Sequence, residues 1–313
     1  MRRIFAIIIT LCGAVPCFAQ NPFITDLYTA DPSAHVFNDT LYVYPSHDKD
    51  DARWFTMDDW HVYSTTDMVN WTDHGVALSL DSISWATKWA WAPDCQFRNG
   101  KYYFYFPTDK NYIGVAVSDK PTGPFTDALG KPLISRETPG VIATNGLIDP
   151  TIFIDDDGTP YLVFGQNHVN IVRLNNDMVS FNDTVRIIEG AKDFFEAAWM
   201  HKHNGKYYLS YSGNRKILYA TSDSPYGPFE YQGVVLGKVS SGNNHHSIVQ
   251  YKGQWYIFYH NSALFFKKHP LAMRLGLLKR WYRRSICVDK LHYNPDGSIQ
   301  KVKQTKRGVN KVE

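Results

Sequence analysis

Apolar and polar positions along the chain recur as one short pattern: a polar opening residue, an apolar strand, a turn of the Asn/Asp-Gly kind, and a strand rich in aromatic residues. It runs from Asp31 to Tyr44, Ala92 to Phe106, Asp149 to Phe164, Glu196 to Tyr211 and His245 to Tyr259. Short apolar runs bounded by turn residues predict antiparallel hairpins. The opening residue keeps nearly constant register. Asp31 and His245 lie seven residues before the turn residues Asn38 and Lys252, and Asp149 and Glu196 lie eight before Asp157 and Asn204.

Each hairpin leads into a second half: an apolar strand closed by a polar turn, at His61 to Asp67, Tyr112 to Asp119, Asn170 to Asp177 and Lys216 to Asp223. Pro and Gly then introduce a fourth stretch, clearest at Pro121 to Phe125 and Pro225 to Phe229, while the fifth copy reads Arg284 to Tyr293 and turns at Asn294 to Gly297. Four strands at this period predict an all-β chain folded as a five-bladed β-propeller with four antiparallel strands per blade. The repeats run almost without break to about Ile299, so residues 20–313 are expected to form a single propeller domain.

Composition fits twisted, packed sheets: 44% of residues are hydrophobic, with 20 Tyr, 18 Phe and 9 Trp. Residues 1–19 read as a Sec-type signal peptide, with Arg2 and Arg3 before the apolar run Ile4 to Phe18 and Ala19 at its end. Export to the periplasm or outside the cell follows, with no membrane span left after cleavage. Leu11 and Pro16 precede Cys12 and Cys17, where a lipoprotein would carry a small residue. The remaining Cys95 and Cys287 are expected to be buried free thiols. A net charge of +3 gives no argument for nucleic acid, and no zinc, phosphate-loop or nucleotide motif is present. A basic, apolar stretch from Leu264 to Arg284 interrupts the fifth repeat and is read as a surface excursion, except for Arg284, which opens a strand returning to the centre.

The innermost strand of each blade lines a central channel, so the polar openings are expected to converge at one mouth of it, where the active site would lie. Asp31, Asp149, Glu196 and His245 would then share a pocket. Glycosidic bond cleavage needs such a set, one carboxylate to deprotonate water and one carboxylic acid to protonate the leaving oxygen. An acid at a strand start also caps backbone amides. That reading is adopted for Asp94, because Ala92 occupies the slot equivalent to Asp31. Asp155, Asp156 and Asp157 read as a solvated turn.

The chain resembles glycoside hydrolase family 43 at Ala30-Asp31-Pro32 with Tyr42 to Asp48, Trp89 to Asp94, Ile148 to Thr151, Phe195-Glu196-Ala197, His245-His246-Ser247 and Arg284 to Gly297. The resemblance implies a five-bladed propeller acting on arabinose- and xylose-containing oligo- and polysaccharides. It implies Asp31 as general base, Glu196 as general acid, and Asp149 as the anion that raises the acid's pKa and orients it. It further implies inversion, with the Asp31 and Glu196 carboxyl groups about 6.5–9.5 Å apart. His245 would reach a structural calcium ion in the channel, a contact that an oxygen-preferring ion makes unusual; no cofactor is required. Trp91 and Phe195 are expected to contact the sugar with Arg284. The loops from Asp48 to Trp60, Asp81 to Lys88 and Leu264 to Arg283 are expected to set specificity. The expected molecule is a monomeric, exo-acting arabinofuranosidase or xylosidase; an endo-arabinanase, a retaining enzyme and a non-catalytic glycan-binding propeller are the alternatives.

Overall fold

The computed structural model describes residues 20–271 and 281–313. The expected signal peptide lies outside the described residues, as do residues 272–280 of the basic stretch. Five antiparallel sheets succeed one another along the chain as the blades of a propeller. Blade 1 comprises Tyr28–Phe37, Thr40–Asp48, Asp59–Thr65 and Thr72–Ser79. Blade 2 comprises Asp94–Arg98, Lys101–Thr108 and Tyr112–Ser118, with two short segments, Thr126–Asp127 and Ile134–Ser135, paired to the last of these. Blade 3 runs from Thr151–Ile154 to Arg186–Ile187, and blade 4 from Glu196–His203 to Glu230–Leu236.

The second strand of each hairpin is rich in aromatics because both its faces are covered. In Lys101–Thr108, Tyr102, Phe104 and Phe106 pack with Tyr44 and Trp60 of blade 1, while Tyr103 and Tyr105 pack with Ile152, Leu162 and Phe164 of blade 3. Alternation there separates one neighbouring blade from the other rather than core from solvent, so the strand reads as a continuous apolar run.

The fifth blade departs from the predicted four local strands. It has three, His246–Tyr251, Gln254–Asn261 and Ser285–Leu291. The chain's own start flanks the outermost: Phe23 and Thr29 donate backbone N–H groups to the carbonyls of Ile286 and Arg284, and the Asn21 side chain bonds both backbone groups of Val288. This ties the first repeat to the last. The end of the chain adds a strap, bonding Val235 of blade 4 through Val302, Asp289 of blade 5 through Thr305, and Asp67 beside blade 1 through Val312.

Two polar readings resolve differently. Asp94 is fully buried and caps the backbone amides of Cys95 and Ile152, as expected, and also accepts from Ser33 and meets His35 at 2.6 Å, joining three blades. Asp155, expected in a solvated turn, is instead ion-paired to Lys202 at 2.8 Å and accepts the Tyr207 hydroxyl, linking blade 3 to blade 4; Asp156 and Asp157 remain at the exposed tip. Cys95 and Cys287 are buried free thiols. Among the described residues no helix is long and apolar enough to cross a membrane.

Candidate active site

The hairpin openings meet at one end of the channel in a cavity of about 400 Å³ lined by Asp31, Ala92, Asp149, Glu196 and His245. One residue comes from each repeat, and Ala92 is the one without a polar group. The backbone bends there. Asp31 (φ 51°), Asp149 (φ 56°) and Ala197 (φ 59°) occupy the left-handed region, and register shifts follow Ala30 and Glu196 in their strands. Such conformations are costly away from glycine and re-aim a side chain out of a regular ladder. Here they turn the acids toward the cavity.

Asp31 is gripped from several sides. Arg284 donates Nη1 to Oδ1 at 2.8 Å, and Ser46 donates to Oδ2 at 2.9 Å. The Asp31 N–H donates to His260 Nδ1 at 3.1 Å, while His260 Nε2 donates to the Asn243 carbonyl, which sets the neutral Nε2–H tautomer. Arg284 is 1% exposed and also forms a forked pair with buried Asp48, through Nε and Nη2 at 2.9 Å each. Burial opposes ionisation of Asp31, but the Arg284 guanidinium outweighs it and holds the carboxyl far below the usual range. Asp31 is a carboxylate at any physiological pH.

Across the cavity the opposite holds. Asp149 and Glu196 are buried, and among the described residues no cation beside them is comparable to Arg284. Burial, then the proximity of Glu196 and Asp31, raises Asp149 well above its ordinary value. Burial first and Asp31 second push Glu196 up to about 7. This corrects one expectation: burial is the larger cause, Asp31 is the anion that acts on Glu196, and Asp149 is itself raised rather than being a simple anionic neighbour. Asp149 Oδ2 accepts the Ala197 N–H at 2.7 Å and so holds the backbone next to Glu196 in its left-handed turn. Glu196 accepts from Gln166 at 3.0 Å and from Asn243 at 3.4 Å.

His245 is buried, with neither ring nitrogen hydrogen-bonded among the described residues, and its Nε2 stands 3.7 Å from Asp149 Oδ2. Burial pushes its pKa down to about 4, so it is neutral near pH 7. An unpartnered neutral imidazole beside a carboxylate fits a hydrated cation that brings its own water ligands. His246 lies outside the cavity, accepting or donating at Ser210 over 2.6 Å.

Aromatic residues form the rim. Trp91 lines the cavity, stacked on Trp89 at 5.2 Å and anchored by its indole N–H to the Phe55 carbonyl. Phe195, 42% exposed, forms another part of the wall. Trp54, Phe55 and Tyr282 come from two of the loops expected to shape the pocket; the third, Asp81 to Lys88, does not line it, and Lys110 and Asn145 do. Lys110 Nζ lies 5.0–5.3 Å from the rings of Trp54, Trp89 and Trp91.

Asp48, Gln166, Asn243 and His260 received no role from the sequence. Asp48, Gln166 and His260 share a legible signal: each is a polar residue at or next to the end of the aromatic strand of a hairpin. Asn243 had no such marker. Its side chain accepts from Arg284 Nη1 at 3.2 Å and donates to Glu196 at 3.4 Å, bridging the two acids through a loop.

Residues 19–299 match the family model described as glycosyl hydrolases family 43. A xylosidase/arabinosidase 43A of Humicola insolens is 38% identical over 89% of this chain and 98% of its own length. A xylosidase/arabinosidase of Bacteroides ovatus is 39% identical over 87% of this chain and 94% of its own. A crystal structure of a β-xylosidase/α-arabinofuranosidase from a compost microbial metagenome, in complex with xylotriose, superposes with a TM-score of 0.79 at 39% identity, covering 92% of this chain and 98% of that one.

Proposed function

The chain belongs to glycosyl hydrolases family 43 and is a glycoside hydrolase; from that premise we propose that it is exported and releases terminal α-L-arabinofuranosyl or β-D-xylosyl residues from plant hemicellulose or pectic side chains. The observation that carries the chemistry is that two buried acids face one cavity with unlike partners, Asp31 paired with Arg284 at 2.8 Å and Glu196 held by the neutral amides of Gln166 and Asn243, which keeps Asp31 ionised and pushes Glu196 up to about 7. In this reading Asp31 takes a proton from water as its oxygen attacks the anomeric carbon. Glu196 gives its proton to the departing glycosidic oxygen. Asp149 acts through the Ala197 N–H, positioning the acid. A single displacement inverts the anomeric configuration. The cavity volume lies near the lower end for ligand pockets, about 300–1,000 Å³, which favours a terminal sugar over a through-running chain. Trp91 offers an aromatic face to the sugar ring, with Phe195 beside it. Arg284 has its donors committed to Asp31, Asp48 and Asn243, so its contribution to substrate binding runs through them.

A calcium ion held through water by His245 and Asp149 would supply positive charge beside the acids. Nitrophenyl α-L-arabinofuranoside, nitrophenyl β-D-xyloside and debranched arabinan separate the substrate readings: hydrolysis of either glycoside is expected, and release of oligosaccharides from debranched arabinan alone would identify an endo-arabinanase. No hydrolysis of any would leave a glycan-binding propeller. Proton NMR of the first anomer formed is expected to show inversion; a retained anomer would overturn the single displacement.

A further inference from the structure

We propose that His47, Asp59 and His61, on the face of blade 1 turned toward blade 5, form a binding site for a zinc-class divalent transition-metal ion. Asp59 and His61 alternate along their strand with Trp60 and Val62, which pack toward blade 2, and share a face with Tyr63, which packs with Tyr251 and Phe258 of blade 5. His47 comes from the neighbouring strand. One ligand atom from each of the three lies within 4.8 Å of the others. His47 Nδ1 is 2.8 Å from Asp59 Oδ1, His61 Nε2 is 3.6 Å from the same oxygen, and the imidazole centroids are 5.0 Å apart. Two imidazoles and a carboxylate form a donor set suited to zinc and unsuited to calcium, which takes six to eight oxygens.

His61 supplies the second observation. Its side chain is nine-tenths buried, yet among the described residues Nδ1 has no hydrogen-bond partner, and Nε2 stops 3.6 Å short of Asp59. A buried imidazole left this way loses its hydration without replacement. A metal on Nε2 fixes the proton on Nδ1, which points to Asp73 Oδ1, 3.9 Å away. Asp73 thus stands on the side from which a carboxylate orients a ligating histidine, beyond direct hydrogen-bond reach. His47 and Asp59 are about a quarter exposed, leaving water a route to the remaining coordination position. The ion would join the second and third strands of blade 1 one residue from Asp48, on the opposite face from its pair with Arg284.

Full-length protein stripped with a chelator and dialysed against micromolar ZnCl₂ is expected to retain zinc that His245→Ala still retains, and Co²⁺ is expected to give visible d–d absorption at the same site. His61→Ala and Asp59→Asn should each reduce zinc affinity at least tenfold, and Asp73→Asn by about tenfold. Zinc should raise the melting temperature of the native chain and of His245→Ala but not of Asp59→Asn, whose partly exposed position makes it the control for misfolding of His61→Ala. Failure of the native chain to retain zinc, or equal retention by Asp59→Asn and His61→Ala, would overturn the site.

Discussion

The two walls of the cavity are built from the same residue types and end in opposite charge states. On the wall made by blades 1 and 5, Arg284 stands between Asp31 and Asp48, and His260 accepts the Asp31 backbone N–H. On the wall made by blades 3 and 4, Asp149 and Glu196 have amide donors and a neutral histidine. Both walls are buried, so desolvation acts on both. A single guanidinium decides which acid stays ionised. Side-chain identity therefore does not set the roles; the placement of one cation does.

The largest test removes that cation. Arg284→Leu leaves Asp31 and Asp48 as uncompensated buried acids and is expected to lower stability by about 3–5 kcal/mol, measured by urea unfolding at pH 7. Hydrolysis should collapse with it, since Asp31 then takes up a proton. A stable, active variant would show that the walls do not differ for the reason given.

Glu196→Gln keeps the shape and removes the proton donor. Activity on an unactivated disaccharide is expected to fall by about 10²–10⁴-fold, with a smaller loss on nitrophenyl glycosides, whose leaving groups need little protonation. The same variant tests the raised pKa through stability. Glu196 keeps its proton to about 7 in the fold and to 4.5 ordinarily. Unfolding therefore releases a proton between those pH values, and native stability declines as pH rises through that window. Glu196→Gln lacks this decline, so its melting temperature relative to the native chain should climb from pH 4.5 to 7 and then level.

The smallest effect concerns the tuning of the acid wall. The activity profile kcat/KM should fall on the alkaline side with an apparent pKa near 7. The Gln166 hydrogen bond favours the ionised form of Glu196, so Gln166→Ala should move that limb to higher pH, by up to about one unit. A limb that stays put would place the titrating group elsewhere. Trp91→Ala, by contrast, should raise KM about two- to tenfold through lost stacking and leave the limb unchanged.

Much of this was legible in the chain. The hairpin register picked out Asp31, Asp149, Glu196 and His245, and the vacancy at Ala92, because a propeller returns to its axis at a fixed point in each repeat. His245 was separable from His246 on the same count. The ring's closure was not legible, because Asn21 and Val288 are remote in sequence and neither carries a turn or strand signal that names the other. Nor was the third expected specificity loop, Asp81 to Lys88, distinguishable from those that reach the cavity.

The repeated pattern alone determined the blades, their order and the four polar residues brought to one mouth, since period and strand register are local properties of the chain. Only the tertiary structure decided what those residues are chemically. Protonation depends on burial and on charges within a few ångströms, and Arg284 and Asn243 reach the cavity from positions whose distance from the acids the linear sequence does not record.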